Sequence, residues 1–581
     1  MADNVFGYKS KRQFLEILRG QLENERTSFL SHWRDIGDYI LPRRPRFAVS
    51  DVNKGDRRNS KIIDSTATMA ARTLRSGMMS GVTSPARPWF RLTTPDPDLA
   101  EFGPVKEWLH IVERRITTSF LRSNLYNVLP VVYGDIGAFG TSAMYIEEDF
   151  TGDVIRCYPF PIGSYFIAQD EKLKVNTFMR DFRMTVNQLV SKFGQTGKPG
   201  EINWDIFSQQ VRNYWENGQR ESWIDVCHAI RPNENYDPNK LESKYKKYYS
   251  CYFERSSANS SGNTYDLNSD KFLKEEGYDY FPVLCPRWET TGEDIYGTDC
   301  PGMISLGDVK QMQLGERKIM QAIEKMINPP MIGPTSLRTQ KASILPADIT
   351  YVDEREGQKG FRPAHEINFR INELEQKQQQ CRQRISRSFF EDLFLMLAQS
   401  DRRDITAREI EERHEEKLLA LGPVLEQLNQ DLLDPLIDIA FNIHVKQKLL
   451  PPPPEELQGQ DLKVEYISIM AQAQKLVGIA GVERFVGFVG QMAQFDPGVL
   501  DKVKTDQVVD VYADMTSVPP SIVRTDEDTE DLRAQKAQAV QAQQKMEMMA
   551  QGAQTAKDLS QAKLGENSAL DQLAGAAGIS V

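Results

Sequence analysis

Three short segments of this chain place residue types that can do chemistry next to one another. The first is Gly194-Gln195-Thr196-Gly197-Lys198, which is similar to a phosphate-binding loop. Such a loop needs four residues between its glycines and a serine or threonine after its lysine, so that backbone N–H groups surround the phosphates. Here two residues separate the glycines and a proline follows the lysine, so the sequence predicts an ordinary turn.

The other two segments contain histidine. Cys227-His228 falls in the alternating run WIDVCHAI, so the two side chains should lie on opposite faces of a strand and cannot act as nucleophile and base. His414 lies beside Glu415 and Glu416, but the H-E-x-x-H spacing of a zinc helix is absent. The acidic run around it predicts a solvated or intersubunit helix face. We therefore expect no catalytic activity, no metal and no cofactor.

The cysteines support the same expectation. They are scattered along the chain without a C-x-x-C pair, at Cys157, Cys227, Cys251, Cys285, Cys300 and Cys381. This spacing is typical neither of a disulfide framework nor of a zinc site, and it predicts free thiols that are buried or half-buried.

Bulk properties restrict the possible partners. The chain has 581 residues, enough for several domains, and a net charge of −11. A protein that grips DNA over a broad surface needs a basic face, whereas an acidic wall would let a duplex slide past. No apolar run is long enough for a transmembrane helix or a signal peptide, so we expect synthesis in the cytoplasm and no membrane partner.

The pattern of the first 300 residues predicts an α+β domain. Helical periodicity covers 11–39, 64–76, 105–121 and 126–139. From residue 142 the period becomes two, and the runs SAMYIEED and DVIRCYPF flank Phe150-Thr151-Gly152, which predicts a hairpin. Further strands are predicted from the runs SYFIAQ, VNTFMRDFRM, WIDVCHAI, KKYYSCYFE and FPVLCPRW, with short helices at 186–193 and 204–216.

Beyond residue 300 the pattern is mainly helical and is interrupted by one small module. Amphipathic helices at 301–328 and 365–398 enclose a Pro- and Gly-containing segment at 329–364. After a polar break at 399–405, Thr406-x-x-Glu409 caps a long helix that Gly422-Pro423 and Pro435 should bend. Four prolines end it, VEYISI at 464–469 predicts one returning strand, and the tail after residue 471 is helical and then frays.

Three motifs in the N-terminal part determine shape and contain no reactive group. Residues 62–92, IIDSTATMAARTLRSGMMSGVTSPARPWFRL, predict a helix capped by Asp64 or Ser65, interrupted at Gly77 and Gly81, and followed by an extended segment. This string resembles the head-to-tail connector, or portal, proteins of short-tailed bacteriophages. RDIGDYILPR at 34–43 and DIGAFGTSAMYIEED at 135–149 resemble the same family, and the resemblance continues to about residue 533.

The resemblance implies a helix-rich α+β portal fold that forms a ring of twelve subunits. Its parts would be a wing at 1–300, stem helices at 301–328 and 365–398, a clip at 329–364, a channel loop at 399–405, a kinked helix with a returning wing strand at 406–470, and a crown with a flexible tail at 471–581. The order of the predicted elements agrees with this arrangement independently of the motifs.

A portal ring at one capsid vertex nucleates head assembly, docks the terminase motor, conducts double-stranded DNA without reading its sequence, and attaches the tail. The resemblance therefore implies a virion protein that is not an enzyme, with terminase, tail adaptor, capsid and scaffolding proteins as partners. Two alternatives remain. One is a nucleic-acid enzyme such as a terminase subunit, against which the missing phosphate loop and acidic metal cluster argue. The other is an internal structural or ejection protein of the virion.

Three charged groups are candidates for contacts with DNA or partners. The resemblance places Arg402 and Arg403, flanked by Asp401 and Asp404, in the channel, although the same break could be an ordinary loop. One face of the second stem helix either contacts DNA or pairs with acidic faces of neighbouring subunits, through Arg370, Lys377 and Arg384. The clip is either a basic surface loop or the docking surface for terminase and tail, through Arg338, Lys341, Arg355, Lys359 and Arg362.

Overall fold

The computed structural model describes two compact units, which divide the chain after residue 477. The described ranges are 10–48, 55–96, 102–149, 152–195, 201–255, 271–332, 362–363, 371–399, 421–457, 462–467, 485–493 and 526–561, with isolated positions between them. The second unit contains a short helix at 485–492 and one long helix, α11 (Asp526–Gln561). The first unit contains the elements described below.

The N-terminal motifs form two helices whose starts are capped by side chains. Helix α1 (Lys11–Tyr39) begins where the Ser10 hydroxyl accepts the backbone N–H of Gln13. Helix α2 (Thr66–Val82) begins where the Asp64 carboxylate accepts the backbone N–H and the hydroxyl of Thr66. The sequence prediction of a cap from Asp64 is therefore confirmed, and the predicted bounds of α1 are correct.

The prediction that Gly77 and Gly81 interrupt this helix was wrong, because α2 continues through both glycines to Val82. At Gly77 a Cβ atom would overlap the ring of Phe394, which packs directly against the helix backbone. A Cβ at Gly137 on a neighbouring helix would likewise overlap the side chain of Leu74. These glycines serve close packing between elements, which local sequence rules cannot distinguish from a helix break.

The remaining helices of the first unit surround the core. They are α3 (Gly103–Arg122), α4 (Leu125–Phe139), α5 (Val186–Phe193), α6 (Gln209–Glu216), α7 (Pro301–Ile327), α8 (Ile371–Ser388), α9 (Glu391–Gln399) and α10 (Asp434–Lys446). One hydrophobic cluster extends from Trp33 on α1 through α2, α3 and α4 to Ile443 on α10. The same cluster includes residues of α7, α8 and α9, so these helices share one core with the N-terminal helices.

Two antiparallel sheets are formed by strands that lie between residues 143 and 284. The strands β2 (Ala143–Asp149) and β3 (Val154–Phe160) form the predicted hairpin, and β9 (Val283–Leu284) pairs with the other edge of β2. A five-stranded sheet has the order β4-β5-β6-β7-β8, with strands β4 (Tyr165–Gln169), β5 (Val175–Thr185), β6 (Trp223–Pro232), β7 (Tyr248–Glu254) and β8 (Lys274–Tyr278).

Strand β6 places Cys227 and His228 on opposite faces, as predicted. Cys227 packs in a cluster with Leu15 and Leu22 of α1, whereas His228 stacks on Tyr252 at 3.9 Å and hydrogen-bonds the Ser250 hydroxyl at 3.0 Å. Burial lowers the pKa of His228 well below its usual value, and nearby cationic side chains lower it further. All six cysteines are free and buried.

Two short strand pairs join segments that lie far apart in the sequence. The strands β1 (Phe90–Thr93) and β12 (Lys463–Tyr466) are antiparallel, which confirms that the run VEYISI returns to the body. The strands β10 (Met331–Ile332) and β11 (Arg362–Pro363) pair at the two ends of the predicted clip. The segment between β10 and β11 is thus joined to the stem through a closed neck.

The long helix after the polar break is irregular near Pro435. Residues 421–428 are helical, a π-helical turn covers Asn429–Leu433, and α10 continues to Lys446. Proline lacks the N–H that would bond the carbonyl four residues earlier, and the π turn shifts the bonding so that Asp434 N–H donates to the Asn429 carbonyl. The bend at Gly422-Pro423 stays a prediction, since residues 406–420 lie outside the described ranges.

The packing at Gly77 gives a stability prediction. Gly77→Ala should lower the free energy of unfolding by about 1–3 kcal/mol, because the new methyl group meets the Phe394 ring. The matched control is Gly20→Ala on α1, where a Cβ meets open space and should be neutral or stabilise by about 0.5–1 kcal/mol. Thermal unfolding of both variants measures the difference, and equal melting temperatures would contradict the proposed close contact.

Candidate functional site

The site residues predicted from sequence divide into described and undescribed positions. Those outside the described residues are Arg338, Lys341, Arg355, Lys359, Arg370, Asp401, Arg402, Arg403 and Asp404. The backbone of Arg362 lies in β11, opposite Ile332 in β10, so this residue is at the neck of the clip segment. Lys377 and Arg384 lie on α8 and are both exposed.

Helices α7 and α8, which fall in the two predicted stem segments, pack closely against each other. A Cβ at Gly315 of α7 would overlap the Gln378 side chain of α8, which shows how near the two backbones approach. Cys381 and Ile385 of α8 are buried in the same core as Val309 and Met312 of α7. The seam predicted for these helices is therefore confirmed only in part. Its buried positions are Val309, Met312, Ile319, Gln378, Cys381 and Ile385. Its other predicted members Ile323, Met326 and Leu374 are exposed in the single subunit.

Arg384 forms an ion pair inside its own subunit. Its Nη2 donates to Asp308 Oδ1 at 2.6 Å, and its Nε lies 3.1 Å from both carboxylate oxygens of Asp308 on α7. From the sequence we predicted contacts of this side chain with DNA or with a neighbouring subunit, and neither alternative included a partner on the adjacent helix of the same chain. The guanidinium is half exposed, so solvent screens this contact and it contributes little to stability by itself.

Arg382 links three elements and was not singled out from the sequence. Its guanidinium donates to Glu316 on α7 at 2.7 Å and to the Asp64 carboxylate before α2 at 3.0 Å. Burial alone would raise the pKa of Asp64, but hydrogen bonds from Thr66 and Arg382 outweigh it and lower that pKa. The Asp64 carboxylate is therefore held ionised at the junction between α2 and the stem.

Gln313 on α7 completes this junction. Its side-chain oxygen accepts the backbone N–H groups of Ile63 and Asp64 at 2.6 and 2.9 Å, and its amide nitrogen donates to the Asp64 carbonyl at 2.7 Å. A few residues earlier on the same helix, Lys310 pairs with Asp35 of α1 at 2.6 Å. The N-terminal motifs thus bind the stem helix directly through polar contacts.

A second polar contact joins two of the motifs to each other. Arg44, which follows the motif at 34–43, donates from Nε and Nη2 to the buried carboxylate of Asp135 at 2.6–2.8 Å. Asp135 begins the motif at 135–149, and Trp33 donates from its indole N–H to the Phe139 carbonyl at 3.0 Å. The segments that contain these two motifs are therefore joined across the fold.

The long helix is tied to the wing by a buried ion pair. Arg287 donates to Asp431 from Nε at 3.0 Å and from Nη2 at 3.2 Å, and it also donates to the Gln169 side chain and the Leu173 carbonyl. Arg287 is 2% exposed and Asp431 10% exposed. Asp431 lies in the π turn, so the irregular turn directs its carboxylate toward the arginine. No local sequence signal pointed to this pair.

Two further observations concern possible chemistry and membranes. Among the described residues, no group of three or more His, Cys, Asp or Glu side chains could hold a metal ion. Over the same part of the chain, no helix is long and apolar enough to cross a membrane.

The sequence profile described as "Bacteriophage head to tail connecting protein" matches residues 12–523. The chain belongs to this family of bacteriophage head-to-tail connecting proteins, and the resemblance seen in its motifs is confirmed.

Two relatives extend this result to nearly the whole chain. The chain is 49% identical over 568 residues to the portal protein of Salmonella phage epsilon15, covering 98% of each sequence. It is 42% identical over 515 residues to the probable portal protein of Bordetella phage BPP-1, covering 89% of each sequence.

The buried pair at the long helix gives a second stability prediction. Arg287→Met should lower the free energy of unfolding by about 3–5 kcal/mol, because it leaves the Asp431 carboxylate buried without its cation. Adding Asp431→Asn removes that charge and should restore part of the loss.

The matched control is Arg384→Ala, which breaks a half-exposed, solvent-screened pair and should lower the melting temperature much less than Arg287→Met. Thermal unfolding of the three variants provides the comparison. Equal losses in Arg287→Met and Arg384→Ala would show that the buried pair does not hold the long helix to the wing.

Proposed function

We propose that this chain is a portal subunit and that its copies close into a ring at one vertex of the phage head. The observation that carries the ring is the apolar stripe of α7. Its first half is buried against its own subunit, including Val309, Met312 and Ile319. The same helical face continues beyond Ile319 but is exposed there, with Met320 at 62%, Ile323 at 40% and Ile327 at 71%.

An apolar stripe that leaves its own core needs a partner in water. A neighbouring copy can cover it through a head-to-tail interface, and such an interface closes into a ring when the rotation between copies is a simple fraction of a turn. The two relatives named portal proteins support this arrangement. We propose twelve subunits, as the family resemblance implies.

The ring would conduct double-stranded DNA without reading its sequence. The charge of −11 supports sliding over gripping, because tight binding requires many neutralised phosphates. Arg382 and Arg384 on the stem are already paired with carboxylates of their own subunit. We therefore propose that Arg402 and Arg403 contact the phosphates. Asp401 and Asp404 would weaken this contact, and Lys377 and Arg370 are secondary candidates.

The inserted clip segment would meet partners outside the head. Its described ends, β10 and β11, pair with each other just after α7, so the segment leaves the stem and returns to it at one place. We propose that its basic residues contact first the terminase motor and later the tail adaptor. The ring would also nucleate head assembly with capsid and scaffolding proteins after synthesis in the host cytoplasm.

The sequence also left open an internal structural or ejection protein of the virion, and membership of the connecting-protein family argues against that alternative. Negative-stain images of the purified protein separate the two functions, because only the portal subunit should give rings with a central hole. Labelling of intact heads adds a second readout, since a portal lies at a single vertex and an internal protein does not.

The ring proposal predicts the effect of charges on the exposed stripe. The double variant Ile323→Asp, Ile327→Asp should reduce ring formation at least tenfold, because burying two carboxylates at each interface is unfavourable. Light scattering measures the change from a very large species to the monomer of 66.3 kDa.

Leu121→Asp is the matched control, since Leu121 is 54% exposed on α3, away from the stripe. It should assemble like the parent. A parent protein that stays monomeric at every concentration and salt tested would refute the ring.

The channel loop gives a further prediction. Replacing Arg402 and Arg403 by alanine should leave rings intact but reduce the DNA packaged or retained in heads, because phosphate contacts are lost. Replacing Asp401 and Asp404 by asparagine should tighten non-specific DNA binding and slow translocation. Packaging assays and DNA binding at several salt concentrations measure both effects. Normal packaging by both variants would exclude this loop as a DNA contact, and Arg370 and Lys377 would become the next candidates.

A further inference from the structure

A polar groove lies between α7 and α8, at the inner end of the exposed apolar stripe. It has a volume of about 410 Å³ and is called the stem groove below. Its lining residues are Glu316, Ile319, Glu375, Gln376, Gln378, Gln379 and Arg382. On α7, Glu316 lies one helical turn before the exposed Met320, and Ile319 lies one turn before the exposed Ile323. The groove is therefore continuous with the surface that a neighbouring subunit would cover.

The stem groove contains a buried hydrogen-bond acceptor. Gln378 is 7% exposed, and its side-chain oxygen is buried without a hydrogen-bond partner among the described residues. The missing side chain at Gly315 lets this amide lie against the backbone of α7. A buried polar atom without a partner is unfavourable, and such atoms are usually satisfied in native proteins. The groove therefore needs a hydrogen-bond donor from outside the subunit.

The charges of the stem groove favour a donor that is also a cation. Among the described residues that line it, Arg382 alone is cationic, and its guanidinium already binds Glu316 at 2.7 Å and Asp64 at 3.0 Å. Glu375 is exposed on the wall of the groove and adds a further carboxylate. An ammonium group offers three donors and a positive charge, which suits a carboxylate and an amide oxygen together. The groove thus fits the side chain of a lysine.

The opposite face of α7 carries such side chains. Lys318 is exposed and follows Glu316 by two residues, which places it about 200° around the helix axis from the groove. Leu314, which is 56% exposed, and Lys325 lie on the same side as Lys318. In a head-to-tail interface, one face of a subunit binds the opposite face of the next. The acidic groove of one copy therefore meets the lysine-bearing face of its neighbour.

The symmetry of a ring selects Lys318 from this face. Rotation about the ring axis leaves each residue at its own height, so a stem that runs along the axis meets its neighbour level by level. Lys318 lies between Glu316 and Ile319 in the chain and hence at the level of the groove. Lys325 lies two turns further along α7, a rise of about 10 Å, and is therefore above the groove.

We propose that Lys318 of one subunit enters the stem groove of the next, where its ammonium group binds the Glu375 carboxylate and the Gln378 side-chain oxygen. The apolar stripe supplies affinity, and this polar contact fixes the register between copies, because a shift leaves the lysine and the buried oxygen without partners. The inference rests on the proposed ring. It names the side chain that each copy contributes to its neighbour.

The test exchanges the two charges in the full-length chain. Glu375→Lys and, separately, Lys318→Glu should each raise the protein concentration needed for half-maximal ring formation by about tenfold or more, because like charges then meet at every interface. The double variant restores opposite charges and should return that concentration to within about threefold of the parent. Light scattering over a dilution series measures assembly, and thermal unfolding shows whether each variant folds.

Two further variants control for charge and folding. Glu373→Lys changes an exposed carboxylate on the same helix that does not line the stem groove, and it should assemble like the parent. Glu375→Gln removes the charge without adding one and should weaken assembly by about threefold. It takes the place of Glu375→Lys if that variant does not fold.

Several outcomes would overturn the groove contact. Parent-like assembly of folded Glu375→Lys would show that no cation of a neighbour enters the groove, and an equal loss in Glu373→Lys would show a general effect of surface charge. Rescue of Glu375→Lys by Lys325→Glu, but not by Lys318→Glu, would establish a different register. Parent rings that form only with added spermidine would assign the groove to a free cation.

Failure of the ring is a separate result. A parent chain that stays monomeric at every concentration and salt tested would refute the proposed function itself. A parent that forms rings, together with charge variants that assemble equally well, would refute only the contact of Lys318 with the stem groove.

Discussion

The architecture depends on the buried ion pair between Arg287 and Asp431. The chain leaves the body as α7 shortly after Arg287 and comes back as the long helix that contains Asp431, so this pair fixes the end of the excursion next to its beginning. A buried pair tolerates neither the loss of one partner nor a shift in register, because either change leaves an unpaired charge in the core. The π turn before Pro435 is the local adjustment that places the carboxylate there.

Further contacts around this pair make the return rigid. His444 on α10 hydrogen-bonds the Ser119 hydroxyl of α3 at 2.7 Å, and burial lowers the pKa of its imidazole. The Trp108 indole donates to the Pro451 carbonyl at 3.1 Å, and β12 then pairs with β1. The body therefore holds both ends of the stem, while the outer half of α7 keeps an uncovered apolar face. In the proposed ring, the rigid attachment of α7 to the body would position its exposed apolar face against the neighbouring subunit.

Part of the positive charge on α8 is neutralised within the subunit. Arg382 and Arg384 pair with carboxylates of α7 and of the junction before α2. Pairing of this kind stabilises the packing of α8 on α7 and occupies cationic groups that could otherwise bind phosphates. The net charge of −11 acts in the same direction. Under the proposed function, both features favour DNA that slides past the subunits over DNA that is held.

The sequence alone predicted the family, the α+β body, the β2–β3 hairpin, the returning strand and the position of α7. These features depend on local signals, such as period, caps and turns, or on long motifs. The prediction of one helix at 365–398 was wrong, because the chain forms the two helices α8 and α9, which are separated at Phe390, where φ is 54°. Only the tertiary structure showed that Gly77 permits close packing with Phe394 and that Arg384 pairs with Asp308 of its own subunit. Only the tertiary structure showed, likewise, that Arg382 and Arg287 form ion pairs that join separate elements. Each of these depends on residues 66 to 318 positions apart in the chain, between which no local pattern exists. Local chemistry sets which elements form, and only their packing decides which side chains meet.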